Sequence, residues 1–354
     1  MGHKGTVLAQ GFVPFALPRE ASLHPTIAPS PSLDPVRLPR DELSHDYPVE
    51  WWYFVGHLSD TASADRLSFM LTAIRGTISI LPPATLSFFK RIDHQAGPLP
   101  LLQCGEPFLA AYEGSEHPVS YRFRYRGNVF NLWIASPESW EIDGQPGAYH
   151  VRLWNAAGGI EMDVDLDCTA PAVLVDGNGI VDYGSGHQLA YYLRPKVAVR
   201  GRARIGGTVR EVRGSGWYER QWGAVPTDSF AWKYLNVSLD DGEQWIFFHT
   251  RLGASVRYYA GRMPAAGGLE ALPIDPGDFR DIEVGGRPLG TDLAVRTSAG
   301  RVELHVRPLF GTEDDIRSMY PGMPPFWESV CRVEGTRGGI PVQGWSMTEL
   351  HAYG

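Results

Sequence analysis

A chain of 354 residues that is 43% hydrophobic and 20% charged is globular, long for one hydrophobic core and sufficient for two. Its net charge of -8, with no Lys/Arg run interleaved with aromatics, excludes the electrostatic footprint of a nucleic-acid binder, and no run of about 18 apolar residues is present to span a membrane. The 40 glycines and 28 prolines predict frequent turns and little room for long helices, so the expected class is all-β.

The chain opens without an apolar stretch of signal-peptide length, because Gln10, Gly11 and Pro14 interrupt it; this reads as an uncleaved leader on a cytoplasmic protein. Cys104, Cys168 and Cys331 fit a reducing compartment, being too few and too far apart to staple a fold or hold zinc. Pro14, Pro18, Pro25, Pro29, Pro31, Pro35 and Pro39 disfavour helix and predict an extended arm over residues 1–41. Next comes His45-Asp46-Tyr47-Pro48-Val49-Glu50-Trp51-Trp52-Tyr53-Phe54-Val55. As a strand it puts Glu50, Trp52 and Phe54 on one face and Trp51, Tyr53 and Val55 on the other. A carboxyl packed against indoles has its charged form desolvated, rises in pKa and becomes able to donate a proton. The simpler alternative is a core strand whose glutamate bonds a backbone group or an arginine.

Residues 84–91 have room for two helical turns, whereas Tyr121-Arg122-Phe123-Arg124-Tyr125-Arg126 alternates strictly and predicts a strand with one apolar face. Asp176-Gly177-Asn178-Gly179 and Gly206-Gly207 mark turns. The least forced boundary lies between Gly206 and Gly223, giving an N-terminal β domain over 42–215 and a C-terminal one over 216–354. In Gly214-Ser215-Gly216-Trp217-Tyr218-Glu219-Arg220-Gln221-Trp222-Gly223, glycines bracket a polar triplet held between tryptophans. Rigid apolar walls with a few fixed polar groups are what a binding site needs; a Glu219 to Arg220 or Glu219 to Tyr218 pairing that merely locks a bend is the alternative. Residues 230–237 and 245–249 flank Asp240-Asp241-Gly242-Glu243 and predict a tight hairpin. Gly285-Gly286 and Gly338-Gly339 mark further turns, and Thr312 is a candidate cap for a short helix over 313–319. Phe326-Trp327-Glu328 and Trp345-Ser346-Met347-Thr348-Glu349-Leu350-His351 read as closing strands, with Glu328, Glu349 and His351 structural or solvated.

The histidines show no two-on-one-helix spacing for zinc, and no Gly-rich turn joins a strand to a long helix to cradle phosphate. Gly184-Ser185-Gly186, with His187 beside it, lacks the frame of a nucleophile elbow. No metal or cofactor is expected.

Taken together, Glu50-Trp51-Trp52-Tyr53 with Gly56-His57-Leu58, then Tyr191-Tyr192-Leu193-Arg194-Pro195, residues 216–223 and residues 326–335 resemble the AttH and carotenoid 1,2-hydratase (hydroxyneurosporene synthase) superfamily. The likeness runs from Asp41 to Gly354. It implies two lipocalin-like barrel or sandwich domains of antiparallel strands, with few short helices, around an apolar small-molecule substrate. Members include hydratases of isoprenoid double bonds, transporter-associated proteins, and Diels-Alderases and related cyclases of polyketide pathways. Many carry Trp-Met-Asp-His-Glu-Trp where this chain has Trp217-Tyr218-Glu219-Arg220-Gln221-Trp222. The Arg220 cation beside Glu219 is then expected to hold that carboxyl ionised and unfit to donate a proton. The expected function is a cofactor-independent cyclase that folds a polyene or polyketide between the domains for pericyclic closure. Hydration of an isoprenoid-like double bond and carriage of an apolar ligand are the alternatives. The expected catalytic groups are Tyr218, Glu219, Arg220, Gln221 and Glu50. The expected walls are Trp51, Trp52, Tyr53, Trp217, Trp222, Trp232, Tyr234, His249 and Trp327.

Overall fold

Short alternating runs separated by glycine turns form, among the described residues, 22 strands in two antiparallel sheets. The computed structural model describes residues 33–42, 45, 47–76, 84–93, 97–98, 120–126, 129–136, 140–155, 160–184, 186–205, 207–224, 230–284, 286–309 and 326–352. The first sheet holds β1 (Val49–Asp60), β2 (Arg66–Gly76), β3 (Ala84–Asp93), β4 (Gly97–Pro98), β5 (Ser120–Arg126), β6 (Val129–Ser136), β7 (Trp140–Gln145), β8 (Ala148–Asn155), β9 (Ile160–Cys168), β10 (Val173–Leu174), β11 (Ile180–Asp182), β12 (Gln188–Ile205) and β13 (Thr208–Ala224). The second holds β14 (Phe230–Leu239), β15 (Gln244–Leu252), β16 (Ser255–Met263), β17 (Glu270–Leu272), β18 (Phe279–Val284), β19 (Arg287–Thr297), β20 (Gly300–Pro308), β21 (Phe326–Arg337) and β22 (Ile340–His351). Spatial order is 4-3-2-1-13-12-9-8-7-6-5 in the first, with β10 and β11 also on β12, and 17-16-15-14-22-21-20-19-18 in the second.

Both sheets are strongly curled. β1 and β8 lie four places apart, about 19 Å in a flat sheet, yet the Phe54 and Tyr149 rings are 5.5 Å apart. Likewise β15 and β18 are six places apart, about 29 Å if flat, yet His249 and Phe279 lie 6.2 Å apart. Each sheet thus wraps its own core. Trp52, Phe54, Tyr192, Tyr218 and Trp222 belong to the first interior, Leu235, Phe247, Leu304 and Val333 to the second. A third cluster joins the outer faces: Tyr53, Val55, Tyr191 and Trp217 of the first sheet pack with Phe230, Tyr234, Phe248 and Met347 of the second. Central strands such as β1 are consequently apolar on both sides, which is why Glu50-Trp51-Trp52-Tyr53-Phe54-Val55 alternates in direction but not in hydrophobicity.

The hairpin at Asp240-Asp241-Gly242-Glu243 forms as expected, with Gly242 at φ 85°, and the run from Tyr121 is strand β5. Two expectations change. Residues 84–91 form β3 rather than a helix, since Leu86, Phe88 and Phe89 find partners in register on β2; residues 313–319 lie outside the described part. The change of sheet falls between Ala224 and Phe230, so residues 216–223 continue a 17-residue strand of the first sheet instead of opening the second. Their glycines are contact points, not a linker. A Cβ on Gly214 would stand 1.9 Å from the His57 carbonyl oxygen, and one on Gly56 would stand 2.1 Å from the Phe69 ring. Gly214→Ala is therefore expected to lower stability by about 1–3 kcal/mol or more through overpacking against backbone that cannot rotate away, read as a drop in denaturant midpoint. The end of the proline-rich arm packs onto the first sheet. Val36 is buried in the first core and its N–H donates to the Asn178 carbonyl, and Asp41, Glu42 and His45 are buried as well. The arm before Leu33 lies outside the described residues, among which no helix is long and apolar enough to cross a membrane.

Candidate functional site

Strand β13 carries the predicted motif, and its alternation sends the motif to two different places. Tyr218, Arg220 and Trp222 face the first interior; Trp217, Glu219 and Gln221 face the interface between the sheets. The expected catalytic groups Tyr218 and Arg220 therefore do not share a face with Glu219 and Gln221, because neighbouring residues of a continuous strand point to opposite faces.

Inside the first sheet, Arg220 is fully buried and its Nη2 bonds Glu50 Oε1 at 2.5 Å. Its Nη1 donates to the Glu42 and Asp41 carbonyl oxygens at 2.5 and 3.2 Å. Trp52 lies below the guanidinium at 4.7 Å and Trp222 at 5.6 Å. His45 stacks on Trp222 at 3.9 Å and 4°, and donates to Glu50 from its backbone N–H and from Nδ1 at 2.8 Å. Burial alone would push Glu50 up, but Arg220 and His45 together outweigh it and hold the carboxyl below its ordinary range. Next to this pair, Glu42 takes bonds from Arg194 (2.5 Å) and Tyr192 (2.7 Å), whose hydroxyl lies 3.3 Å from that of Tyr218. This is an architectural ion-pair network. It corrects the reading of Glu50 as a proton donor among indoles and the pairing of Arg220 with Glu219.

At the interface, Glu219 is 4% exposed and meets no cation among the groups that set its titration. Its Oε2 accepts from Tyr234 (2.6 Å), Tyr191 (2.7 Å) and Trp217 (3.0 Å), while Gln221 reaches Oε1 at 3.5 Å. Burial pushes this carboxyl up, and the four hydrogen bonds offset only part of the rise. Glu349 of β22 accepts from the Trp232 indole N–H, and burial lifts it to about 7 against bonds from Glu328 and Trp232. Glu328 of β21 stands directly opposite Glu349 and accepts from the Tyr53 hydroxyl at 3.4 Å. His351 stacks on Trp232 at 3.9 Å, bonds the Phe230 carbonyl, and is pushed by burial down to about 4, hence neutral. Trp51, Trp232 and Glu349 keep part of their surface accessible though packed in this layer, as groups lining a crevice do.

Of the predicted walls, Trp51, Tyr53, Trp217, Trp232 and Tyr234 meet here with Glu219 and Gln221. Trp52, Trp222, Tyr218, Arg220 and Glu50 do not, being on the first interior. His249 stacks on Tyr258 at 4.3 Å beside Phe279, where the second sheet closes, and Trp327 packs with Leu289 and Leu350 on another face. Tyr191, Glu328, Glu349 and His351 were not predicted as site groups; the last three, expected to be structural or solvated, are buried or half-buried here. Their signal was present in the alternation Met347, Glu349, His351, which sets an acid between two groups of an inward face.

The family model described as AttH-like matches residues 29–353. Among solved structures, an AttH-assigned protein from Nitrosomonas europaea is 22% identical with a TM-score of 0.64, over 90% of this chain and 97% of that one. Kievitone hydratase from Nectria haematococca is 16% identical, TM-score 0.56, over 85% and 88%. CghA with Sch210972 is 12% identical, TM-score 0.60, over 92% and 96%. No curated protein matches. At these identities the solved structures speak for the fold, and the family match over nearly the whole length places the chain: it belongs to the AttH-like family.

Proposed function

We propose that this protein is a cofactor-independent enzyme that binds an apolar, unsaturated small molecule between its two sheets and protonates it from Glu219, adding water to an isoprenoid-like double bond. The observation that carries this reading is the separation of Glu219 from Arg220 onto opposite faces of β13, which leaves a desolvated carboxyl among aromatic rings, its hydrogen bonds among the described residues coming from neutral donors. Three donors occupy Oε2, so the neutral acid carries its proton on Oε1. Aromatic faces at Trp217, Trp232 and Tyr234 stabilise the positive charge that follows. The same acid and tyrosine hydroxyls favour a second reading, in which they polarise a carbonyl while rigid walls fold a polyene or polyketide for pericyclic closure.

Incubation of the purified protein with a panel of prenylated phenols and linear polyene ketones separates the readings by mass. One added water supports hydration, an isomer supports cyclisation, and unchanged ligand leaves only carriage. With a turned-over substrate, Glu219→Gln is expected to cost about 10²–10⁴ in rate, whereas Tyr218→Phe, on the opposite face, leaves the rate intact. Equal losses from both variants would contradict the assignment.

A further inference from the structure

Proton delivery from Glu219 needs the substrate held at a second point. Strand β14 carries the groups that face it, sending Trp232, Tyr234, Asn236 and Ser238 by alternation into the layer between the sheets. Trp232 donates to Glu349, Tyr234 donates to Glu219, and Ser238 accepts from Gln244 Nε2 at 3.2 Å. Asn236 differs. Its cross-strand neighbours are Ile246 on one side and Met347 on the other, both in the apolar cluster of this layer, and it is 1% exposed. Its Oδ1 accepts from the Met347 N–H at 3.1 Å, which fixes which end of the amide is which. The other end, Nδ2, has no hydrogen-bond partner among the described residues.

A buried amide N–H without an acceptor is costly, and an aliphatic residue of the same size avoids that cost. A second amide stands beside it in the same condition. Gln244 lies diagonal to Asn236 across the β14–β15 hairpin, is 4% exposed, and leaves its Oε1 without a partner among the described residues. Two half-used amides thus adjoin each other among Ile246, Met263 and Met347. The accessible side of the layer lies at the other end of the same row. Trp232 keeps part of its surface open, Tyr234 with Glu219 comes next, and Asn236 follows one two-residue step further in, about 7 Å along the strand.

We infer that Asn236 is the specificity-determining anchor of this site: its Nδ2 donates to an oxygen of the substrate, hydroxyl or carbonyl, while the double bond lies one step nearer the accessible side, against Glu219 and Tyr234. The inference rests on the proposed site between the sheets. It narrows the substrate class to unsaturated molecules that carry an oxygen a few bonds from the alkene, as prenylated phenols and isoprenoid alcohols do, and sets pure hydrocarbons aside.

Binding to the full chain, read as quenching of tryptophan fluorescence, tests this with two matched pairs: 4-prenylphenol against prenylbenzene, and farnesol against farnesene. The native protein is expected to hold the oxygen-bearing member about tenfold more tightly in at least one pair. Asn236→Leu, of similar size, is expected to bring the two members of that pair level while still binding both. Should it fail to fold by circular dichroism, Asn236→Thr, which suits a strand but is too short to reach the same oxygen, takes its place with the same expected result. A role confined to holding the Met347 N–H lowers the denaturant midpoint of the variant and leaves the ratio as in the native protein, an outcome that overturns the anchor. Equal native affinity for both members overturns it too and leaves the hydration reading standing. Binding of neither pair removes the site between the sheets and both readings with it. A clear preference without any added-water product sinks hydration alone and keeps the anchor.

Discussion

Glu349→Gln raises stability at about pH 8 by on the order of 3 kcal/mol and changes it little at about pH 4. The folded chain lifts this carboxyl from 4.5 to about 7, mainly by burial, so the native state binds a proton that the unfolded chain has released. The sign follows directly. Stability from this group is fully present below the ordinary value and is lost as pH rises through the folded one. His351 acts in the opposite sense, because burial lowers it to about 4 and the unfolded chain takes up its proton first. Between those limits the two slopes partly cancel, so the variant, by removing only the Glu349 slope, exposes that of His351. Urea titrations across this pH range, native against variant, give the difference; an unchanged gap at the two ends would place Glu349 in ordinary solvent.

Arg220→Met is the second large effect. It removes the guanidinium from a fully buried carboxylate and from two backbone carbonyls at once. Breaking a buried pair from one side costs about 3–5 kcal/mol, a large share of the stability of an ordinary domain. Pairing it with Glu50→Gln is expected to recover part of the loss, since the stranded charge then disappears. The measurement is the denaturant midpoint of the two single variants and the double. Acid works on the same network. Glu50 is held below its ordinary range, and Asp41, despite its burial, is brought to about 2 by His45, Arg40 and Arg37. Their contributions are present above the ordinary carboxylate range and are lost as pH falls below it.

How much of this was legible in the chain follows from the range of the interactions. The strands, the hairpin at Gly242 and the division of Glu50 and Trp52 from Trp51 and Tyr53 are local, set by alternation and turn chemistry, and the sequence carries them openly. The partner of Arg220 is not local: it is Glu50, 170 residues away, and nothing in Trp217-Tyr218-Glu219-Arg220-Gln221-Trp222 announces it. Reading the flanking glycines as a bend hid the alternation that would have separated Glu219 from Arg220. Whether Glu328 and Glu349 are structural or solvated stays open until the outer faces of the two curled sheets are known to pack together, and a tertiary contact between distant segments leaves no periodic mark of its own.

That same strand, β13, divides labour by parity. Tyr218, Arg220 and Trp222 answer to the integrity of the first sheet, while Trp217, Glu219 and Gln221 answer to whatever lies between the sheets. On the proposed function, a substitution at Trp217, Glu219 or Gln221 is therefore expected to alter the site between the sheets without touching the Arg220–Glu50 ion pair on the other face. The pleat thus lets one face of the strand vary while the other keeps the sheet together, a form of evolvability built into the alternation itself.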